Sequence, residues 1–390
     1  MSKLISDMMF KEEIYQGSLF DDCSIKCEAY AACGGQRVTA PCGCAWTQSS
    51  GLRYQCHKCY LICRDRGLYN SEEKLQVKEF STNIEDGFTL DQIDIIQSKY
   101  QFPICIPTHT NKYKGNVKFS RFVAVDARML FNYPHNGIAN LKSQFETESL
   151  LRQYLKVSKK CELIAVLNGE DKMLEKIWAM NRTAMFSKLV SIGFKICTAP
   201  TFSLTALTPS GSLVPFSHHT AMLMRHHRVL HEINKVGLCA VPNLYWLDGD
   251  ARQLNNWVDW LKTHPEIYLI SRDFTSTRHW SAIEPKIIEL LNLFKEVGRL
   301  FHVLIIGTGH SNAPKIVEYL KREGHNVSVI TSAPIMKAIH GSKYFITANG
   351  KLSDCACEKS EYSFDDLINY NLDLFEHKLS SIISPKVDKC

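Results

Sequence analysis

The sequence predicts an α/β protein: a (β/α)8 TIM-like barrel preceded by an N-terminal cysteine-rich metal-binding module. Two observations predict it. Between residues 120 and 345, short β-branched runs alternate with helix-period segments, the pattern of a parallel sheet with covering helices. Ahead of them, eight of the fifteen cysteines crowd between Cys23 and Cys63. The implied organisation is a cysteine module over 1–70, a connector over 71–115, the barrel over 116–345 and a C-terminal extension over 346–390.

The cysteine module comes first. Its thiols are Cys23, Cys27, Cys33, Cys42, Cys44, Cys56, Cys59 and Cys63. Cys56, Cys59 and Cys63 stand at i, i+3 and i+7, which lines three thiols along one helical face. Such a row can hold corners of an iron–sulfur cluster, with Cys42 or Cys44 as a further ligand. Zinc is the rival, because Cys42-x-Cys44 with Cys56-x-x-Cys59 makes a four-thiolate tetrahedron. A polar head of this size offers little core in which to hide eight thiols without a metal. Arg53, Lys58, Arg64 and Arg66 lie among the cysteines and suit phosphate contacts.

The chain has 390 residues, 45% of them hydrophobic, enough for one large core and a smaller module. A formal charge of +6 permits a polyanionic partner. The opening residues MSKLISDMMF carry no long apolar stretch of the signal-peptide kind, and no run reaches the length of a membrane span. Fifteen cysteines in such a chain point to a reducing, cytoplasmic setting.

The connector holds an amphipathic helical pattern over 71–100 and then PICIPTH. The strand runs that follow are Phe122 to Val125, Leu163 to Leu167, Lys195 to Thr198, Leu238 to Val241, Ile267 to Ile270, Val303 to Ile306 and Val327 to Ile330. An eighth strand drawn from residues 100–107 closes a barrel; a doubly wound open sheet is the alternative. Function in a barrel sits where the strands end. Those positions carry Asp126, Asn168, Phe202, Asn243, Tyr245, Trp246, Asp273, Gly307, Gly309 and His310, a set suited to a planar, hydrogen-bonding ligand. Asp248 and Asp250, just before a helix, read as N-caps. Asp126 and Asp273 follow strands directly and fit that role less well. Gly307-Thr308-Gly309 ends a strand with glycines that let a ligand approach the backbone. Arg225, His226, His227 and Arg228 form a cationic run on a helical segment, suited to DNA phosphates or to a solvated helix face.

Several of these stretches resemble the tRNA-guanine transglycosylase superfamily. The glycine loop at 307–309, the strand ending in Thr331-Ser332, His340-Gly341 and Cys355-Ala356-Cys357 follow the order of its last strands and its zinc motif. RFVAVDAR at 121–128 resembles its early strand with an active-site aspartate, which implies Asp126 as catalytic. LIAVLNGE at 163–170 resembles a strand bearing a base-reading glutamine, which implies that role for Asn168. GFKICTAPTFS, ending at Ser203, resembles a further strand. The resemblance covers about residues 120–360 and fits the DNA-acting branch of the superfamily equally. Two departures matter. Thr331-Ser332 stands where the family has a nucleophilic aspartate. The zinc motif is incomplete, with Ser360 at the third cysteine and His377 as a distal candidate.

What the resemblance implies, adjusted for those departures, is a DNA glycosylase that flips out a modified base and hydrolyses its glycosidic bond, with phage defence as its setting. Asp126 and Asp273 are its catalytic candidates, and the asparagines, aromatics, glycines and His310 are its base-binding set. Alternatives are a transglycosylase exchanging guanine for a 7-deazaguanine, an iron–sulfur redox or radical enzyme, and a catalytically silent nucleic-acid-binding module.

Overall fold

In the computed structural model, the described residues are 95, 97–113, 121–134, 139–178, 181–204, 216–358 and 361–382. Almost all of them belong to one compact unit, Thr89–Thr205 with His219–Cys390. The cysteine module, and with it every thiol from Cys23 to Cys63, lies outside the described residues.

Eight parallel strands form the core of this unit: β1 (Cys105–His109), β2 (Phe122–Asp126), β5 (Glu162–Val166), β6 (Phe194–Thr198), β7 (Cys239–Val241), β8 (Leu269–Asp273), β9 (His302–Ile306) and β10 (Asn326–Thr331). The strand order β7-β6-β5-β2-β1-β10-β9-β8 keeps chain neighbours adjacent all the way round. That sequential order, with β1 pairing in parallel to both β2 and β10, is the topology of a TIM-like barrel rather than of an open doubly wound sheet. All seven strand runs read from the sequence are present, shifted by at most a few residues. The first strand, β1, overlaps the 100–107 run expected to supply the eighth, closing strand, and begins five residues later than that run. Among the described residues, two short antiparallel pairs stand beside them: β3 (Phe131–Asn132) with β4 (Asn140–Leu141), and β11 (Ser342–Ile346) with β12 (Leu352–Ala356).

The barrel is nearly closed between β7 and β8, and two devices hold that seam. Towards the strand C-termini, Ser271 N–H donates to Pro242 O at 2.8 Å and Leu244 N–H donates to Ser271 O at 2.8 Å. Towards the N-termini, the Gln97 amide takes the place of a missing ladder. Its Nε2 donates to Ala240 O (3.0 Å) and Leu269 O (2.7 Å), and its Oε1 accepts from Tyr268 N (3.0 Å) and Leu269 N (2.8 Å). One side chain thereby satisfies backbone groups that burial would otherwise orphan.

Helices alternate with the strands: α1 (Ala127–Leu130), α2 (Glu148–Leu155), α3 (Asp171–Trp178), α4 (Arg182–Ser191), α5 (Phe216–Lys235), α6 (Ala251–Thr263), α7 (Trp280–Val297), α8 (Ala313–Arg322), α9 (Ala333–Ile339) and α10 (Phe364–Ser380). Local chemistry starts and stops them. Thr147 and Asn181 accept from the backbone of Leu150 and Ala184 as N-caps, and Gly298, at φ 76°, ends α7 in the left-handed region. Helix α10 lies in the stretch read as a C-terminal extension, yet it packs on β1 and belongs to the barrel.

The barrel interior follows from strand alternation. Phe122 with Ala124, Ile164 with Val166, Cys239 with Val241, and Leu304 with Ile306 stand two apart and belong to one buried cluster. Two residues further along their strands come Asp126, Asn168 and Asn243. On β8, Leu269 leads by the same step to Ser271 and Asp273. The period that buries the apolar core therefore delivers a polar layer to the C-terminal mouth. Among the described residues, no helix is long and apolar enough to cross a membrane.

Candidate active site

Asp273 is the centre of the mouth. It ends β8, and its carboxylate is fixed from both sides. Oδ1 accepts from Thr275 N (2.8 Å) and Thr275 Oγ1 (2.6 Å), an Asx-type turn over Asp273-Phe274-Thr275. Oδ2 accepts from Asn168 Nδ2 at 2.6 Å. Asn168 Oδ1 in turn accepts from Asn243 Nδ2 at 3.1 Å. Residues far apart in the chain, on β8 and beyond the ends of β5 and β7, thus form one hydrogen-bonded row. Asp273 and Asn168 are half-buried, while Asn243 is fully buried and its Oδ1 has no hydrogen-bond partner. Thr198, the last residue of β6, is also fully buried, and its hydroxyl accepts from the N–H of Leu167, the neighbour of Asn168, at 3.3 Å.

Asn243 is held from behind. Its backbone N–H donates to His226 Nε2 of α5 at 3.1 Å, which makes Nε2 the unprotonated nitrogen of a neutral ring. Burial, reinforced by the neighbouring His227, pushes the His226 pKa well below its ordinary value. His227 is lowered to about 4, chiefly by burial, although its contact with Leu223 O opposes the shift.

Asp126 stands at the end of β2, in register with Val166 of β5, with about a quarter of its side chain exposed (26%). It does cap a helix: Oδ1 accepts from Met129 N at 2.9 Å at the start of α1, contrary to the expectation that it fits an N-cap poorly. Arg128 Nε lies 4.0 Å from its Oδ2. Burial lowers the nearby Lys142 ammonium, and Asp126 partly restores it. Asp250 is an N-cap as expected, accepting from Gln253 N at 3.4 Å.

The glycine loop has a different role from the one expected. Gly307 sits at φ 77°, and a Cβ there would lie 2.1 Å from Thr275 Oγ1 and 2.7 Å from Thr275 Cα. The space that its missing side chain leaves is filled by the turn that grips Asp273, not by a ligand. Gly309 has open space at the corresponding point, and its carbonyl accepts from Ala313 N at the start of α8.

The aromatic candidates are committed to packing. Trp246 turns to the outer layer, where its indole N–H donates to Glu289 Oε2 (2.8 Å) and the Arg272 guanidinium lies 4.2 Å from its ring centroid. Burial lowers Arg272 to about 10, against the opposing charges of Asp248, Glu289 and Asp273. Phe202 is 2% exposed and meets Trp178 edge-on at 6.0 Å. Tyr245 is half-buried, its hydroxyl donating to Met222 O at 3.1 Å. Phe202 and Trp246, both buried, offer no open stacking face in this conformation.

The cationic run is not an exposed strip either. Arg225, His226 and His227 are buried, and the Arg225 guanidinium lies 4.8 Å from the Trp178 ring centroid. Only Arg228 reaches solvent, 3.7 Å from Glu232. Helix α5 packs Leu223, Leu230 and Ile233 inward, and the same face carries the two histidines. His310 turns to the β11–β12 hairpin, with Nε2 3.3 Å from Asp354 Oδ1, while Lys337 holds Asp354 Oδ2 at 2.7 Å. Thr331 is structural: its hydroxyl donates to Thr308 O (2.7 Å) and accepts from Ala333 N (3.1 Å).

The structure therefore unites Asp273, Asn168 and Asn243, keeps Asp126 at the mouth, and assigns Trp246, Gly307, Arg225, His226 and His227 to the framework. Sequence reasoning missed Thr275 and Thr198. The Asp-x-Thr spacing was a usable signal for the first; nothing local distinguished the second. Among the described residues, no three or more His, Cys, Asp or Glu side chains converge to hold a metal ion, so Cys355, Cys357 and His377 form no such set. No family model matches the chain, and no curated protein matches it.

Proposed function

We propose that the barrel mouth hydrolyses an N-glycosidic bond, with Asp273 as the carboxylate at the sugar and Asn168 and Asn243 as readers of the base, and that the substrate is DNA. The observation that carries this reading is the row Asp273–Asn168–Asn243 at the C-terminal end of a barrel. It combines one oriented carboxylate with planar amide groups of the kind that read a base edge. In the proposed reaction the C1′–N bond breaks as positive charge develops on the sugar. Asp273 stabilises that charge and accepts a proton from the attacking water, whose oxygen bonds to C1′; the departing base nitrogen takes a proton from solvent, and Asp273 returns its own proton to solvent. Asp126 is the second carboxylate of the mouth.

Removal is favoured over base exchange because Thr331 stands where a nucleophilic carboxylate would be needed, and its hydroxyl is already spent on Thr308 and Ala333. DNA as the substrate rests on the net charge of +6 and on the resemblance to the DNA-acting branch. For the cysteine module we propose that it binds an iron–sulfur cluster or zinc.

The test is incubation with DNA from several phages and bacteria, followed by mass spectrometry of released bases and alkali treatment. The expected products are free base and alkali-labile abasic sites. Asp273→Asn should lower the rate by about a hundredfold or more, the scale of losing one oriented charge stabiliser. Activity that needs an incoming base and leaves the DNA resistant to alkali would replace removal with exchange. No release from any DNA would overturn the reading.

A further inference from the structure

The hydrogen bonds of the mouth have a direction, and Asp273 sets it. As a carboxylate it can only accept, so Asn168 must turn its NH2 towards it. That leaves Asn168 Oδ1 facing Asn243, which must answer with its own NH2. The atom left over is Asn243 Oδ1, an acceptor, fully buried and unpaired. The amide oxygen and nitrogen of an asparagine are interchangeable in shape, but here the carboxylate at the far end removes the choice. A second anchor prevents any slip, because the main-chain N–H of Asn243 is held by His226 Nε2 at 3.1 Å.

We infer that Asn243 is the specificity-determining residue of the mouth, its carboxamide oxygen accepting a hydrogen bond from the exocyclic amino group of the bound base. This rests on the nucleobase reading above and names the substrate class more narrowly: amino-bearing bases rather than bases that present only acceptors at that edge. An unpaired buried acceptor makes discrimination strong. A ligand with a donor there restores a lost hydrogen bond, and one without a donor leaves the oxygen orphaned.

The same logic gives an unusual variant. In Asp273→Asn, Thr275 donates twice to one side of residue 273, so the new amide keeps its oxygen there and presents its NH2 to Asn168. Asn168 must then reverse, Asn243 must reverse after it, and the free atom becomes a donor. One remote substitution, which does not touch Asn243, is expected to change what Asn243 recognises.

The experiment is equilibrium binding of nucleosides to the full-length protein, a readout independent of bond cleavage. Deoxycytidine, deoxyadenosine and deoxyguanosine are each compared with the analogue that lacks only the exocyclic amino group. In the unaltered protein at least one amino-bearing nucleoside should bind about tenfold or more tighter than its partner. In Asp273→Asn, checked for folding by circular dichroism, that preference should fall to about threefold or less, or invert. Binding with every pair equal in the unaltered protein overturns the inference and leaves the nucleobase reading standing. A preference that survives Asp273→Asn unchanged overturns the directional row as its cause. If no nucleoside binds, the inference falls together with the nucleobase reading. Should the variant fail to fold, the panel on the unaltered protein still decides the inference.

Discussion

Gly307→Ala should damage the protein out of proportion to one methyl group. Residue 307 sits at φ 77°, where an L-residue with a Cβ costs about 1–2 kcal/mol. The added carbon would also lie 2.1 Å from Thr275 Oγ1, 2.7 Å from its Cα and 2.8 Å from its N. Two of those atoms are backbone, so rotating the threonine side chain gives no relief, and overpacking of this kind costs about 1–3 kcal/mol. The sum is about 3 kcal/mol, or a fall in Tm of about 5 °C, given about 2.1 cal/mol/K of unfolding entropy per residue in a unit of this size. The clash also pushes on the turn that orients Asp273, so base release should fall as well. Thermal unfolding followed by circular dichroism measures the first effect. Gly309→Ala is the matched control: its Cβ meets nothing within 4 Å and its φ is not positive, so its Tm should stay within about 2 °C. If the two substitutions behave alike, close approach to Thr275 is not why position 307 is glycine.

Three further predictions stand beside it. Gln97→Leu removes four hydrogen bonds across the open β7–β8 seam and should cost about 3–4 kcal/mol in urea unfolding; a loss below about 1 kcal/mol would mean the seam closes without it. His109, His227, His302 and His325 are each lowered from 6.5 to about 4, mainly by burial. The unfolded chain therefore binds more protons between those values. Stability should fall as pH drops from about 6.5 towards 4, and an unchanged urea midpoint between pH 7 and pH 5 would contradict that. Anaerobically purified protein should carry metal bound by Cys23 to Cys63, with thiolate–iron absorption near about 400 nm if the metal is iron and none there if it is zinc; folded, metal-free protein would exclude both.

The strands were legible because their cause is local. β-branched runs such as Val303 to Ile306 and Val327 to Ile330 favour extended backbone wherever they lie, and intervening amphipathic segments supply the crossovers. Strand ends were legible for the same reason, which is how Asp273, Asn168 and Asn243 came to share a candidate set. The side on which a residue points once its strand has ended was not legible. Trp246 lies three residues past Asn243, yet it packs beneath Arg272 in the outer layer. Arg225, His226 and His227 look like a charged surface in a linear reading, but burial in the barrel wall makes the histidines neutral framework and one of them the anchor of Asn243.

The sequence alone thus determined the alternation of strand and helix, the cysteine cluster, and the list of polar residues at strand ends. Those follow from periodicity and residue chemistry, which act over a few positions. Only the tertiary structure decided between the closed barrel and the open sheet, that Gly307 makes room for Thr275, and that three side chains from distant segments form one row whose direction Asp273 imposes. Ring closure brings residues about a hundred positions apart into hydrogen-bond range (Asn168 and Asp273 are separated by 105), and no local propensity encodes a contact of that span.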